Sequence, residues 1–322
     1  MKRIVLVTGI GGNVGQGIVR NIQSLKRSIK IIGTNTEFIS AGNHLCDKVY
    51  LVPFSTKKQY IPQIKKICKA EKVDLIIPST DYEVYILGKA QSRLPQIAAS
   101  APDVTALFLN KYKTWQKFKE LEIPFAETKL PSEYKNDFVE SIVKPAEGRG
   151  SREIYINPQK LNKFSDSYIV QKLYKGAEIT TAFYVTKEKK YVGQITFLRS
   201  MYAGTTSECE VTFKYNKQID TIISKILAHI NIQGSCNIQS IVTKKGEIVP
   251  FEINCRISGT NSVRSQFGFK DVEYTIDEYL YNKKPRNLKI KAGSAVRIYL
   301  DVIYPDIPLK KIKDKSTKHY IY

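Results

Sequence analysis

Glu252, Asn254 and Arg256 stand two apart in Phe251-Glu252-Ile253-Asn254-Cys255-Arg256, so an extended chain projects all three from one face. The turn Lys244-Lys245-Gly246-Glu247 precedes a short strand over 249–253 and folds it back toward Asn237-Ile238-Gln239, which sets Gln239 beside Glu252. One carboxylate, two amide oxygens and a guanidinium on a single patch suit Mg²⁺ and the phosphates of a nucleotide. Mg²⁺ takes hard oxygen donors and usually only one or two carboxylates, leaving positions for phosphate oxygens and water. The same four residues would also satisfy themselves with water at the edge of a sheet.

A second group lies upstream. Lys144 precedes a loop with Gly148 and Gly150, where backbone can approach a ligand closely, and with Arg149, Ser151 and Arg152 as donors. No Gly-Lys-Ser/Thr triplet closes that loop, which separates it from the P-loop. It reads either as a polyphosphate clamp with a mobile lid or as an exposed basic hairpin. Gln171, Lys172, Leu173 and Tyr174 end a strand over 168–173, and Glu178 follows a turn at Lys175-Gly176. An exposed strand can pair its backbone with an adenine edge, and the acid can accept from ribose hydroxyls. Glu178 by itself would serve as well as a surface carboxylate.

These groups need a scaffold. Residues 1–105 alternate short apolar runs (4–7, 29–33, 48–52, 75–78) with helical patterns (14–25, 57–70, 81–90), which predicts a parallel sheet flanked by helices. The first turn carries Gly9, Gly11, Gly12 and Gly15 ahead of a helix. That is either an anion or dinucleotide site or a tight packing turn, and a lone glycine turn does not decide. After Pro102 come a helix over 111–120, antiparallel strand candidates from 141 to 198 and a helix over 217–230.

At 322 residues the chain exceeds the size of one ordinary core, and two or three subdomains are expected. Lys+Arg 51 against Asp+Glu 30 gives a net charge of +21. The lysines are spread along the whole chain, which argues against nucleic-acid binding as the main function. The densest run, near Lys310, reads as a solvated tail. Five scattered cysteines and three histidines offer no zinc spacing, and the opening apolar run stops after four residues, too short for a membrane span. A cytoplasmic protein with reduced thiols, acting on small molecules and away from membranes, is expected. A homo-oligomer is compatible with the sequence.

The ordered set Lys111, Lys144 with its glycine loop, Gln171 to Tyr174, Glu178, Gln239 and Glu252-x-Asn254-x-Arg256 resembles the ATP-grasp superfamily. Within it, the set is most similar to single-module relatives of the carbamoyl phosphate synthetase large chain. The resemblance implies an α/β and α+β fold: a parallel-sheet pre-ATP-grasp domain (1–105), a nucleotide-binding region with a glycine-rich lid (106–178) and a metal- and substrate-binding region (179–322). It implies ATP and one or two Mg²⁺ ions as cofactors, with Mn²⁺ able to substitute. Lys111 and Lys144 would contact phosphates, Gly148, Arg149, Gly150 and Ser151 would cover them, and Gln171, Lys172, Leu173 and Tyr174 would frame adenine. Glu178 would hold ribose, Gln239, Glu252 and Asn254 would bind the metal, and Arg256, with Lys144, would stabilise the transferring phosphoryl group. The chain departs from the family in Cys255, where proline is usual, in Asn110, where an acid often stands, and in the charge of Glu147.

The implied activity is an ATP-dependent carboxylate–amine ligase that forms an acyl phosphate and passes it to an amine. Arg199, Tyr202, Gly204, Thr205 and Thr206, and Ser258 to Asn261 with Arg264, are candidates for the acceptor pocket or for structural roles. Three rival readings remain: phosphorylation of bicarbonate or carbamate, a nicotinamide-dependent oxidoreductase using the Gly9 turn, and a non-catalytic basic protein binding nucleic acid or a membrane surface.

Overall fold

A computed structural model describes residues 2–148, 153–286 and 288–322. Arg149, Gly150 and Ser151, assigned to the phosphate loop, lie outside the described residues. The first hundred residues run β1 (Arg3–Val7), α1 (Asn13–Ser24), β2 (Ile29–Asn35), β3 (Lys48–Leu51), α2 (Tyr60–Glu71), β4 (Leu75–Ile77), α3 (Asp81–Lys89) and β5 (Gln96–Ile97). The strands stand in the order β3-β2-β1-β4-β5 and are all parallel. In β1, Val5 and Val7 face Ile18 and Ile22 of α1, while Leu6 faces the side of Ile64 and Leu87 on α2 and α3. With both faces covered, the run has no polar position to alternate.

Pro102 starts a helix. It occupies the first turn of α4 (Pro102–Leu109), which leads directly into α5 (Lys111–Glu120). Asn110 caps α5 by accepting from the backbone of Tyr112 and Lys113, a role that accounts for its side chain. Next, β6 (Thr128–Lys129), β7 (Ser141–Pro145), β8 (Tyr155–Ile156) and β9 (Tyr168–Lys172) form a small antiparallel sheet in the order β6-β9-β7-β8.

The largest sheet is antiparallel, in the order β14-β13-β10-β11-β12-β15. It is built from β10 (Gly176–Val185), β11 (Tyr191–Tyr202), β12 (Thr205–Val211), β13 (Gly234–Thr243), β14 (Ile248–Asn254) and β15 (Ser294–Val296). The turn expected at Lys175-Gly176 gives way to the start of β10, so Glu178 lies inside a strand. β11 likewise continues past Leu198 and carries Arg199. Helix α6 (Asn216–His229) packs Ile219, Ile223 and Ile226 on one face against Phe183 and Ile238. Beyond the short α7 (Asn261–Arg264), α8 (Asp271–Tyr281) wedges between the two large sheets. It gives Val272 and Ile276 to the core under α1 and Tyr274 to the core of the antiparallel sheet.

The C-terminal segment is fastened to the first domain. The backbone N–H of Lys315 donates to Cys46 O and its ammonium pairs with Asp47 at 2.6 Å, while β16 (Val302–Ile303) and β17 (Tyr320–Ile321) pair with each other. The lysine run near 310 is therefore anchored at its end. Among the described residues, no helix is long and apolar enough to cross a membrane.

Candidate active site

Gln239 on β13 stands directly opposite Glu252 on β14. The register then slips, so that Ser240 faces Pro250 and Phe251 is the extra residue of a bulge. A line of hydrogen bonds crosses the ladder. Arg199 Nη2 donates to Gln239 Oε1 (2.7 Å), Gln239 Nε2 to Asn254 Oδ1 (3.1 Å), and Asn254 Nδ2 to Glu252 Oε1 (3.0 Å).

Two lysines face that line. Lys144, on β7 and only 6 % exposed, places Nζ 3.5 Å from Phe251 O and 5.1 Å from the Phe251 ring centre. Burial pushes its ammonium down to about 8, with Lys111 adding to the effect and Glu252 opposing it. Lys111, buried at the first position of α5, reaches Gly148 O at 3.3 Å. For Glu252, burial favours the neutral acid, but Lys111 and Lys144, with Asn254 and Arg256, outweigh it and hold the carboxyl below its ordinary range. Two buried cations against one carboxylate leave an unbalanced positive charge, which a polyphosphate would meet.

Arg256 departs from the expected strand face. β14 ends at Asn254, and the Arg256 N–H turns back to Asn254 O (2.9 Å). Its guanidinium instead crosses to the first domain, with Nη2 on Asp81 (2.6 Å) and Nη1 on Ile257 O (3.0 Å). Its Nε is buried and has no hydrogen-bond partner among the described residues. Asp81 was not anticipated from sequence. It opens α3 after the N-cap Thr80, at the carboxyl end of a parallel strand, where open α/β sheets place ligand-binding groups.

Two cavities meet at this ladder. The smaller, about 390 Å³, is lined by Lys111, Lys144, Gly148, Gln171, Lys172, Leu173, Tyr174 and Glu178, with Ile142, Ile241, Val249 and Phe251 as apolar walls. The larger, about 980 Å³, opens between the glycine turn before α1 and the antiparallel sheet, and Arg256, Ser258, Gly259 and Thr260 line it. Arg199, Gln239 and Glu252 border both.

Within the smaller cavity, two backbone donors of the expected adenine frame are already used. The backbone N–H groups of Lys172 and Leu173 are already donated to Glu127 O and Glu140 O, because β9 is flanked by β6 and β7. Neither N–H is free for an adenine edge. The Gln171 side chain is buried and donates to Thr128 Oγ1 (2.9 Å), and Lys172 pairs with Glu127 at 3.5 Å. Glu178 accepts twice from Arg199 through one oxygen, at 3.1 and 2.5 Å.

Of the acceptor candidates, Arg199, Gly204, Thr205, Thr206, Ser258, Gly259 and Thr260 line the larger cavity, and Tyr202 is exposed. Arg264 is removed from the set. It is fully buried, bound to Asp271 (2.5 Å) and to Ser258 and Thr260, and so braces α7 against α8. Asn261 is likewise structural, accepting from Asn21 and donating to Val14 O on α1. The glycine turn is shaped by packing as well: Gly9 has φ +57°, and a Cβ on Gly15 would lie 2.5 Å from Gly9 O.

Among the described residues, no group of three or more histidines, cysteines or acids is assembled to hold a metal. A cation here would rest on the Glu252 carboxylate and the amide oxygens of Asn254 and Gln239, which are hard donors. That set fits Mg²⁺ completed by phosphate oxygens, provided Arg199 yields Gln239 Oε1.

Residues 5–99 match the model of the PylC-like N-terminal domain, and residues 108–260 match that of the ATP-grasp domain. An uncharacterized protein of Methanocaldococcus jannaschii is 25% identical over 245 residues, which are 69% of this chain. The chain spans 60% of the length of that curated relative. The N5-carboxyaminoimidazole ribonucleotide synthetase of Thermotoga maritima superposes with a TM-score of 0.68 at 16% identity, over 89% of this chain and 78% of that one. The biotin carboxylase domain dimer of Hydrogenobacter thermophilus 2-oxoglutarate carboxylase, in complex with MgADP, ADP and bicarbonate, gives 0.73 at 14% identity, over 91% and 73%. These likenesses show the fold: a parallel-sheet domain followed by an ATP-grasp fold.

Proposed function

We propose that the chain, which belongs to the ATP-grasp family, is an ATP-dependent carboxylate–amine ligase. The observation that carries this reading is the meeting of two cavities at Gln239, Glu252 and Arg199, one sized and walled for a nucleotide and the other large enough for an acceptor. The nucleotide lies in the smaller cavity, its base among the apolar walls, its ribose toward the Glu178 oxygen that Arg199 does not engage and its phosphates toward Lys111 and Lys144. Mg²⁺ held by Glu252, Asn254 and Gln239 would supply charge neutralisation on those phosphates.

A carboxylate from the larger cavity attacks the γ-phosphorus, and the bond to the β–γ bridging oxygen breaks to release ADP. The amine then attacks the acyl carbon and phosphate leaves. The buried Arg256 Nε is positioned by Asp81 to meet an oxyanion in this sequence. Lys144, lowered to about 8 by burial, carries its charge below that pH, and approaching phosphates favour the protonated form further. The residues thus contribute placement and charge, and no side-chain nucleophile is required. The unpaired, buried thiols support a reducing, cytoplasmic setting.

The test is release of ADP and phosphate from Mg-ATP with a panel of carboxylates, bicarbonate among them, each with and without amines, and with Glu252→Ala as control. Turnover that needs both acceptors and is lost in the variant is expected. Turnover with bicarbonate alone would favour the carboxyphosphate reading. Undiminished turnover in Glu252→Ala would refute the assignment.

A further inference from the structure

Arg199 is, among the described residues, the cation that lines both cavities. It rises from β11 with a side chain 7 % exposed, and all three of its nitrogens are engaged. Nε and Nη2 donate to Glu178, Nη2 also to Gln239 Oε1 at 2.7 Å, and Nη1 to Thr206 Oγ1 at 3.3 Å. Two of those acceptors are groups that the proposed function assigns to other partners, Glu178 to ribose and Gln239 to the metal. A guanidinium and a divalent cation on the same amide oxygen repel each other at close range, so the two occupancies exclude one another.

We infer that Arg199 is a positioning residue that competes with the metal for Gln239 Oε1 and is handed to the acceptor side when the metal claims Gln239. This rests on the ligase reading above. Its route is already marked. Thr206 lies on the larger cavity and contacts Met201 Sδ (3.8 Å), a flexible thioether that can yield space. Once off Gln239, the guanidinium faces that cavity and can hold a carboxylate there by paired hydrogen bonds. Metal–nucleotide and acceptor carboxylate then favour each other's binding, and the coupling is reciprocal.

The test titrates Mn²⁺ by electron paramagnetic resonance in the presence of ADP, on the full chain and on Arg199→Met, with ADP binding in EDTA measured by calorimetry. The variant is expected to bind Mn²⁺ more tightly, by about fivefold or more, because Gln239 Oε1 is released. Acetate, as the simplest carboxylate, should tighten Mn²⁺ binding in the wild type at matched ionic strength and leave the variant unmoved. Should Arg199→Met fail to fold, Arg199→Lys serves, since one ammonium cannot hold Glu178, Gln239 and Thr206 together and should shift Mn²⁺ affinity in the same direction. ADP binding with unchanged or weaker Mn²⁺ affinity in the variant overturns the exchange alone. No response of the wild type to acetate overturns its acceptor-side half. No ADP binding by either protein overturns the nucleotide site, and this inference with it.

Discussion

Replacing Lys144 by methionine separates what this lysine costs the fold from what it does for the ligand. Its ammonium is held at about 8 against an ordinary 10.5. At about 1.4 kcal/mol per pH unit, keeping it charged inside the protein costs about 3 kcal/mol below pH 8. The sign follows from proton counts. Between pH 8 and 10.5 the folded lysine is neutral while the unfolded one still carries its proton, so wild-type stability rises through that window. Methionine has no such dependence and fills a similar volume. Lys144→Met should therefore be the more stable protein near pH 6.5, with about 3 kcal/mol as the ceiling, and its advantage should shrink steadily between pH 8 and 10.5. The ceiling is lowered by Glu252, which loses one of its cations but keeps Lys111. Urea unfolding at pH 6.5, 8 and 9.5 measures the difference directly. A difference that stays constant across this range, or widens with pH, would refute the reasoning. The same variant should lose nucleotide affinity, and wild-type affinity should fall above pH 8, where the free enzyme must first protonate Lys144.

Other outcomes follow from the same geometry. Asp81→Asn keeps the shape beside Arg256 but removes the charge that orients it; kcat should fall about tenfold or more with ADP affinity unchanged, and equal kcat would show that Arg256 needs no such guide. Arg264→Met strands Asp271 in a fully buried position and should cost about 3–5 kcal/mol in chemical denaturation. Gly15→Ala drives a Cβ to 2.5 Å from the Gly9 carbonyl oxygen, so the turn before α1 must shift; a loss of about 1–3 kcal/mol is expected in the same assay.

What could be read from the chain depended on how local its cause was. β1 and α1 were legible because an apolar run and a 3.6-residue stripe are properties of neighbours in sequence. The pairing of Gln239 with Glu252 was legible because one turn lies between them. Helix α8 was not. Buried residues run unbroken from Val272 to Leu280 apart from Glu273, so no polar stripe marks its outer face. Its acids are satisfied by partners off the helix: Asp271 by Arg264 on α7, Asp277 by Arg27 and Glu278 by Tyr184. For the same reason Arg264 resembled a substrate-binding arginine in sequence and proves to be a brace. Asp81 was invisible because its partner Arg256 lies on an element brought to it only by the fold. Glu178 and Arg199, by contrast, face each other across one hairpin and were missed because each fell one residue outside the strands read from sequence.

The bulge at Phe251 explains why Glu252 and Asn254 face the cavity at all. Ile248 and Ile253 both enter the core beneath the antiparallel sheet, although they are five residues apart. In a regular strand an odd spacing sends side chains to opposite faces, and Glu252 would share the face of Ile248. The extra residue reverses the alternation once, between Pro250 and Glu252. Ile253 then returns to the core, while Glu252 and Asn254 turn to the ligand side. The displaced Phe251 is used rather than wasted. Its carbonyl accepts from the Lys144 ammonium and its ring lies beneath the charge, which tethers Lys144 on the small sheet to the large sheet beside Glu252. One irregularity thus selects which side chains face the cavity and ties together the two sheets that line it.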